Sequence, residues 1–279
     1  MEKITNEQIL EFKMHLINEE KSTATIEKYI RDIIVFSRWL DGEKLCKTKV
    51  LEYKERLINQ YAPASVNSIL SSLNSFFDFS EQFALKVKTI KIQRQIFASR
   101  EKELSKAEYE RLLTTAKKKG NRKLYLLMQT ICATGIRVSE LRYITVSALQ
   151  LGRADINLKG KMRIVIIPND LCRLLKKYAT EQKIVHGSIF ISKNGNPLDR
   201  TNIWKLMKNL CEKAKVAKEK VFPHNLRHLF ARTFYSLQKD IVRLADILGH
   251  SSVNTTRIYT METGENHRRQ IQQLGLLRY

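Results

Sequence analysis

Glycine and proline are scarce, at 10 and 4 among 279 residues. That is too little turn chemistry for a β-sandwich and too little for a low-complexity disordered chain, so a helix-rich fold is expected. The four cysteines, Cys46, Cys132, Cys172 and Cys211, never form a Cys-x-x-Cys pair. This argues against a zinc ribbon and fits a reducing compartment. Cys132 lies inside an apolar run and reads as a small core residue. The N-terminal stretch MEKITNEQILEF has no apolar signal core, and no apolar run approaches the roughly 20 residues needed to cross a bilayer. The expected setting is the cytoplasm, with no membrane partner. Acidic residues are outnumbered 28 to 50 by basic ones, for a formal charge of +22. Solubility does not require so much charge. The simplest partner is a polyanion, most often nucleic acid, with a ribosome-associated or merely basic protein as the alternative. No cluster of carboxylates is spaced to hold Mg²⁺, so phosphate chemistry here would rely on the chain's own cations.

What is present is helical periodicity with one interruption. Residues 1–82 read as four amphipathic helices. Thr5 and Gln8 open the first as a capping box, Ser22 and Thr23 the second, Thr48 the third, and Pro63 suits the first turn of the fourth. Residues 83–101 lose the period and carry Lys86, Lys88, Lys91, Arg94 and Arg100 against Glu101. They read as an extended basic linker, either a solvated tether or a set of phosphate contacts. Regularity returns with the Ser105–Glu108 capping box, a helix ending near Gly120, and another capped by Asn121 and closed at Gly135. Residues 154–167 switch to a strand pattern around Lys159-Gly160-Lys161 and predict a β-hairpin. Asn169 or Asp170 then caps a helix, Ser188–Ser192 reads as a third strand, and helices dominate from Thr201.

Polar residues stand out of this frame in two places. From Phe222 the chain reads FPHNLRHLFARTFYSLQKDIVRLADILGHSSVNTTRIYT, which holds His224-x-x-Arg227, then Leu248-Gly249-His250, then Tyr259 nine residues later. Upstream, Ala133-Thr-Gly-Ile-Arg137-Val-Ser-Glu140-Leu141 adds a second arginine, and the hairpin turn adds a lysine. Singly, each is ordinary: an arginine after a helix is usually a surface charge, and a tyrosine usually packs. His224 and His228 at i,i+4 would suit zinc, but position 225 is Asn where a zincin has Glu. Together and in this order, the two boxes resemble those of the tyrosine recombinase (phage integrase) family, over essentially the whole chain.

The resemblance implies a mainly α fold with a small β-sheet. A helical, SAM-like core-binding domain would span 1–82, a linker 83–101 and the catalytic domain 102–279, a short form without an arm-binding domain. It implies double-stranded DNA as partner, a tetramer on two DNA sites, accessory DNA-bending proteins in some systems, and no metal or cofactor. The reaction would be strand cleavage and rejoining through a 3′-phosphotyrosine. Arg137 and Arg227 would hold the phosphate oxygens, since paired guanidinium donors suit an anion that gains charge on attack. Tyr259 would be the nucleophile. A free tyrosine has a pKa near 10, so a base or adjacent cations are needed. His224 is the candidate base and His250 a donor to the phosphate. Lys159 would protonate the departing 5′ oxygen, with Lys161 as the alternative. Glu140 orients a catalytic group or is a helix-cap carboxylate, and His228 supports the box from behind. The tail, with Ile271, Leu274, Leu276 and Leu277, would pack on its own domain or on a neighbouring subunit. A non-catalytic DNA-binding protein on the same fold and a type IB topoisomerase are the rival functions.

Overall fold

The structure, a computed structural model, describes residues 4–92, 102–158, 161–259 and 272–276, with main chain alone at Leu158 and Lys161. The chain forms two compact units that part at residue 94. Among the described residues no helix is long and apolar enough to cross a membrane.

The first unit is four helices: α1 (Asn6–Asn18), α2 (Thr23–Leu40), α3 (Lys47–Gln60) and α4 (Pro63–Phe79). Thr5 and Gln8 make a reciprocal capping box at α1, and the Ser22 hydroxyl accepts from the Thr25 N–H at α2. The third start differs from the expectation at Thr48. Cys46 holds the cap position with no side-chain bond to the helix, because the chain enters α3 with Leu45 already buried. Phe12, Leu16, Ile33, Phe36, Leu70, Leu73, Phe76 and Phe77 fill the core. One polar seam crosses it: Asp32 accepts from Ser72 Oγ at 2.8 Å and pairs with Lys28 at 2.8 Å.

The described part of the basic stretch is not extended throughout: it opens with a 3₁₀ turn at Phe83–Leu85 and then runs on without regular structure, and it is not a free tether. Asn67 and Asn74, seven residues apart on α4, each bond the main chain of this segment in both directions. Asn74 meets Val87 at 2.9 and 3.0 Å, and Asn67 meets Ile90 at 2.9 and 2.7 Å. Val87 is buried. Lys86 pairs with Asp78 at 2.7 Å, while Lys88 and Lys91 are exposed. Arg94 lies outside the described residues.

The second unit begins with α5 (Lys106–Lys118) and α6 (Arg122–Thr134), followed by a 3₁₀ turn at Val138–Tyr143 and the short α7 (Val146–Leu151). Strands β1 (Arg153–Leu158) and β2 (Lys161–Ile166) pair antiparallel, with Leu158 opposite Lys161. Ala154, Ile156, Val165 and Ile167 face the core, and Met162, Ile164 and Ile166 face out. Among the described residues the sheet has two strands, and the expected third strand at Ser188–Ser192 does not join it. Ser188 bridges only to Thr145 and Ile191 only to Pro197, two single pairs with different partners that cannot extend a ladder. Then come α8 (Asn169–Glu181), α9 (Arg200–Lys208), α10 (Cys211–Ala214), α11 (Pro223–Gln238), α12 (Ile241–Leu248) and α13 (Val253–Thr256). Pro168 rather than Asn169 or Asp170 stands at the cap of α8, with no side-chain bond. Proline's fixed backbone enters the helix directly from the strand.

Helix α6 packs against α11, and this pairing places the two sequence boxes side by side. Gly135 closes α6 with φ +63°, where a Cβ would lie 2.5 Å from Phe230 and 3.0 Å from Leu248. The turn carrying Arg137 can therefore lie directly on α11 and α12 only with a glycine there.

Candidate active site

Arg137, His224, Arg227, His250 and Tyr259 line one cleft of about 510 Å³, together with Arg200 and Trp204 from α9. Arg137 follows the α6 turn, His224 and Arg227 lie in the first turns of α11, His250 follows the glycine that ends α12, and Tyr259 ends the 3₁₀ turn after α13. Lys159 lies outside the described residues. Lys161 is placed by its main chain, paired with Leu158 in the hairpin.

Arg227 is the deepest of these groups, 2 % exposed. It donates to the carbonyls of Gly135 and Leu248, the latter at 2.8 Å, and its Nη2 lies 3.0 Å from His250 Nε2. A guanidinium can only donate. His250 Nε2 therefore accepts, which puts the ring proton on Nδ1, donated to Thr256 Oγ1 at 2.8 Å. Burial and then the Arg137 charge push the Arg227 pKa down to about 10, against the opposing effect of the nearby Tyr259 hydroxyl. The side chain thus stays cationic at neutral pH.

Tyr259 is buried, 3 % exposed, with Ala231, Leu244 and Leu248. The His228 ring meets it edge-on, 4.7 Å between centroids, and the His250 ring lies nearly parallel to it at 6.0 Å. His228 also touches His224, 4.5 Å away. Glu140 is 2 % exposed and bonds the Arg137 guanidinium at 2.9 Å and the Arg137 N–H at 2.9 Å. Burial alone would raise its pKa. Its bonds to Arg163 and Arg137 outweigh burial and hold the carboxyl below the usual range. Glu140 therefore both caps the turn, as a helix-cap carboxylate would, and braces a guanidinium. Among the described residues no three His, Cys, Asp or Glu side chains converge as a metal-binding group.

Burial and the arginine charges keep all three histidines neutral. His250 and His228 are pushed down to about 4, each by burial first, then by Arg227 for His250 and by His224 for His228. His224 opens to solvent along the cleft, yet its pKa is also lowered, by the cleft wall first and then by Arg227, Arg137 and Arg200. A prediction follows with a definite sign. Below about pH 6.5 the unfolded chain protonates these rings and the folded chain does not, so stability falls as pH falls from about 6.5 toward 4. Each ring contributes at most about 1.4 kcal/mol per pH unit, less where solvent screens it. Melting temperatures at pH 7, 6 and 5 should show the decline, with a shallower slope for His228→Leu. An equal slope in that variant would remove His228 from the effect.

Three site residues escaped the sequence reading. Arg163 on β2 bonds Glu140 at 2.5 Å. Arg200 and Trp204 form one wall of the cleft. Two of them carried a signal. Arg163 is in phase with the core residues Val165 and Ile167, an unusual place for an unpaired cation. Trp204 is out of phase with the buried pair Ile203 and Met207 and is 47 % exposed.

Residues 102–265 match the model of the phage integrase family, and residues 9–82 match that of the phage integrase N-terminal SAM-like domain. The chain belongs to the phage integrase family. Tyrosine recombinase XerA of Thermococcus kodakarensis is 31 % identical over 276 residues, covering 95 % of this chain and 94 % of that protein. Tyrosine recombinase XerD of Staphylococcus haemolyticus is 30 % identical over 278 residues, covering 91 % and 94 %. Among solved structures, a lambda integrase tetramer bound to a Holliday junction shares the fold, with TM-score 0.71 and 18 % identity over 92 % of this chain and 77 % of that one. This phage integrase family member is an enzyme, a site-specific DNA recombinase of the tyrosine type. The cleft of this recombinase is where the two sequence boxes meet.

Proposed function

We propose that the cleft binds one backbone phosphate of duplex DNA and that Tyr259 attacks its phosphorus. The observation that carries this reading is the convergence of Arg137, His224, Arg227, His250 and Tyr259 on that cleft. The Tyr259 oxygen forms a bond to phosphorus while the bond to the 5′ oxygen breaks. Neutral His224 is suited to take the phenolic proton, because its lone pair is available at pH 7. By family resemblance the 5′ oxygen leaves with a proton from Lys159. The product, a 3′-phosphotyrosine, keeps the ester, and a 5′-hydroxyl of another strand reverses the step to rejoin the DNA. No metal or nucleotide enters this balance. Arg137 and Arg227 stabilise the charge that grows on the non-bridging oxygens, where preorganised donors have their largest effect.

His250 has a conditional role in this reading. It accepts from Arg227 in the unbound site. An incoming phosphate offers Arg227 a stronger acceptor and adds the negative charge that favours protonation of the imidazole. His250 then donates from Nε2 to a phosphate oxygen.

The fold shared with the lambda integrase tetramer on a Holliday junction supports four subunits acting on two DNA sites through a four-way junction. The expected compartment is the cytoplasm. Exposed Lys88 and Lys91 remain phosphate contacts in this reading, whereas Lys86 must first release Asp78. Duplex affinity should fall steeply with salt, by about 10³-fold or more between 50 and 200 mM if six or more phosphates are neutralised. Fluorescence anisotropy with a labelled duplex measures this, and a flat response would contradict the charge argument.

The decisive test is covalent capture. Selection from randomised duplexes yields the bound sequence, and a copy nicked beside the scissile phosphate traps the cleaved state. A protein–DNA adduct that survives denaturant supports the reading. Specific binding without an adduct would make this chain a binder that has lost the chemistry. Relaxation of plasmid lacking the selected sequence would move it to the topoisomerase class.

A further inference from the structure

The last three carbonyls around the end of α12 each accept from a different arginine. Arg163 Nη1 donates to Ile247 at 3.0 Å, Arg227 Nη2 to Leu248 at 2.8 Å and Arg137 Nη2 to Gly249 at 3.3 Å. These are carbonyls a helix leaves without internal partners, at the negative end of its dipole. Three guanidiniums that repel one another are thus gathered on one helix terminus. Two of them, Arg137 and Arg227, line the cleft, and Arg163 does not. Its side chain is 12 % exposed and lies behind the cleft, where its Nη2 bonds Glu140 Oε2 at 2.5 Å. Glu140 in turn holds Arg137 with its other oxygen at 2.9 Å.

The chain is built to let this arginine through. Gly249 has φ +63°, and a Cβ there would sit 2.4 Å from Arg163 Cδ and 3.1 Å from its Nη1. The glycine before His250 is therefore needed for two reasons, its left-handed backbone and the arginine stem that passes against it. We propose that Arg163 is a positioning residue for strand cleavage. It bridges Glu140 to the Ile247 carbonyl and so fixes Arg137 and the Leu248-Gly249-His250 turn relative to each other at the phosphate. Arg163 itself never touches the DNA. The hairpin thus contributes more than the residues at its tip: strand β2 sets the spacing between the two sequence boxes.

This inference rests on the recombinase chemistry proposed above, and wild-type adduct formation on the nicked duplex is the control for that reading. If wild type fails to form the adduct, the parent reading falls. If wild type succeeds, the variants judge Arg163 alone. In Arg163→Ala, single-turnover cleavage should drop about 10²-fold, the usual consequence of displacing reacting groups by about 1 Å. The protein concentration for half-saturation should change less than about threefold, since no phosphate contact is lost. Guanidinium ion added to the Arg163→Ala protein should recover part of the rate. Glu140→Gln should slow cleavage too, and the double variant should be no slower than the worse single one, because both changes break one bridge. Arg163→Lys keeps the stem and charge but lacks the fork that reaches both acceptors. It should fall between wild type and Arg163→Ala, and it takes over the test if the alanine variant melts too low to assay. Cleavage within about twofold of wild type in both variants overturns the proposal. So does a loss of affinity as large as the loss of rate, or a double variant in which the two losses multiply.

Discussion

Tyr259→Phe should form no detectable adduct on the nicked duplex, at least about 10⁴-fold below wild type, because removing a nucleophile leaves only binding and electrostatics. The duplex should still bind within about threefold. The structure makes this a clean substitution. The Tyr259 ring packs on Ala231, Leu244 and Leu248, with His228 nearly perpendicular to it and His250 nearly parallel. Phenylalanine keeps all of that and removes only the oxygen. The melting temperature should therefore move little, and a large drop would mean that the hydroxyl is a structural group held by Arg227. An adduct that persists in Tyr259→Phe would transfer the nucleophile to another residue and end the present assignment. Rejoining gives an independent check. A 5′-hydroxyl strand added to the wild-type adduct should release the protein, whereas water should release it slowly or not at all.

Helix boundaries were legible where a side chain makes the cap. Thr5, Ser22 and Ser105 bond the N–H groups their positions predict, because a capping box is a local event decided within four residues. The starts at Cys46 and Pro168 were misread because no side chain caps them, and tertiary packing sets the entry point. The third strand failed for a related reason. An apolar run such as Ser188–Ser192 shows that a segment is buried but not that it finds a ladder partner. The docking of residues 86–92 was legible in principle. Asn67 and Asn74 sit one heptad apart on the fourth helix, a spacing that aligns two amides along one face, but nothing local names their partner.

The candidate cleft was legible to the extent that the proposed chemistry needs fixed residue types. Arg137, His224, Arg227, His250 and Tyr259 fall in two contiguous boxes, and the fold brings them to one cleft. Their supports were less legible. Thr256 reads as an ordinary helical threonine until its hydroxyl is seen on His250 Nδ1 at 2.8 Å. Arg163 hid in an apolar strand because its partners, Glu140 and Ile247, are 23 and 84 residues away. Such a pairing exists only after folding: the strand phase of Arg163 marks a cation on the buried face but does not name its partners.

Arg227 should prove the costliest position in the molecule, and its two substitutions should fail differently. Arg227→Ala leaves the Gly135 and Leu248 carbonyls without their donor in a buried site, at about 1–3 kcal/mol each. It also removes a cation from the phosphate, and one lost preorganised donor alone slows such reactions about 10²–10³-fold. The expected outcome is a chain several kcal/mol less stable, with cleavage below detection. That result alone would not separate structure from chemistry. Arg227→Lys does so. The ammonium keeps the charge and one carbonyl bond but cannot reach Gly135, Leu248 and His250 in one plane. It should fold and bind duplex, yet cleave at least about 10³-fold more slowly. Its pH–rate profile should keep the wild-type shape. Burial and then the Arg227 charge hold the wild-type His250 down at about 4. Lysine retains both causes, so the imidazole should titrate as before and only the rate should fall. Single-turnover rates from pH 5 to 9 on the nicked duplex measure both. A lysine variant that cleaves at the wild-type rate would mean that the planar, two-pronged geometry of Arg227 is irrelevant, and that charge alone holds the phosphate.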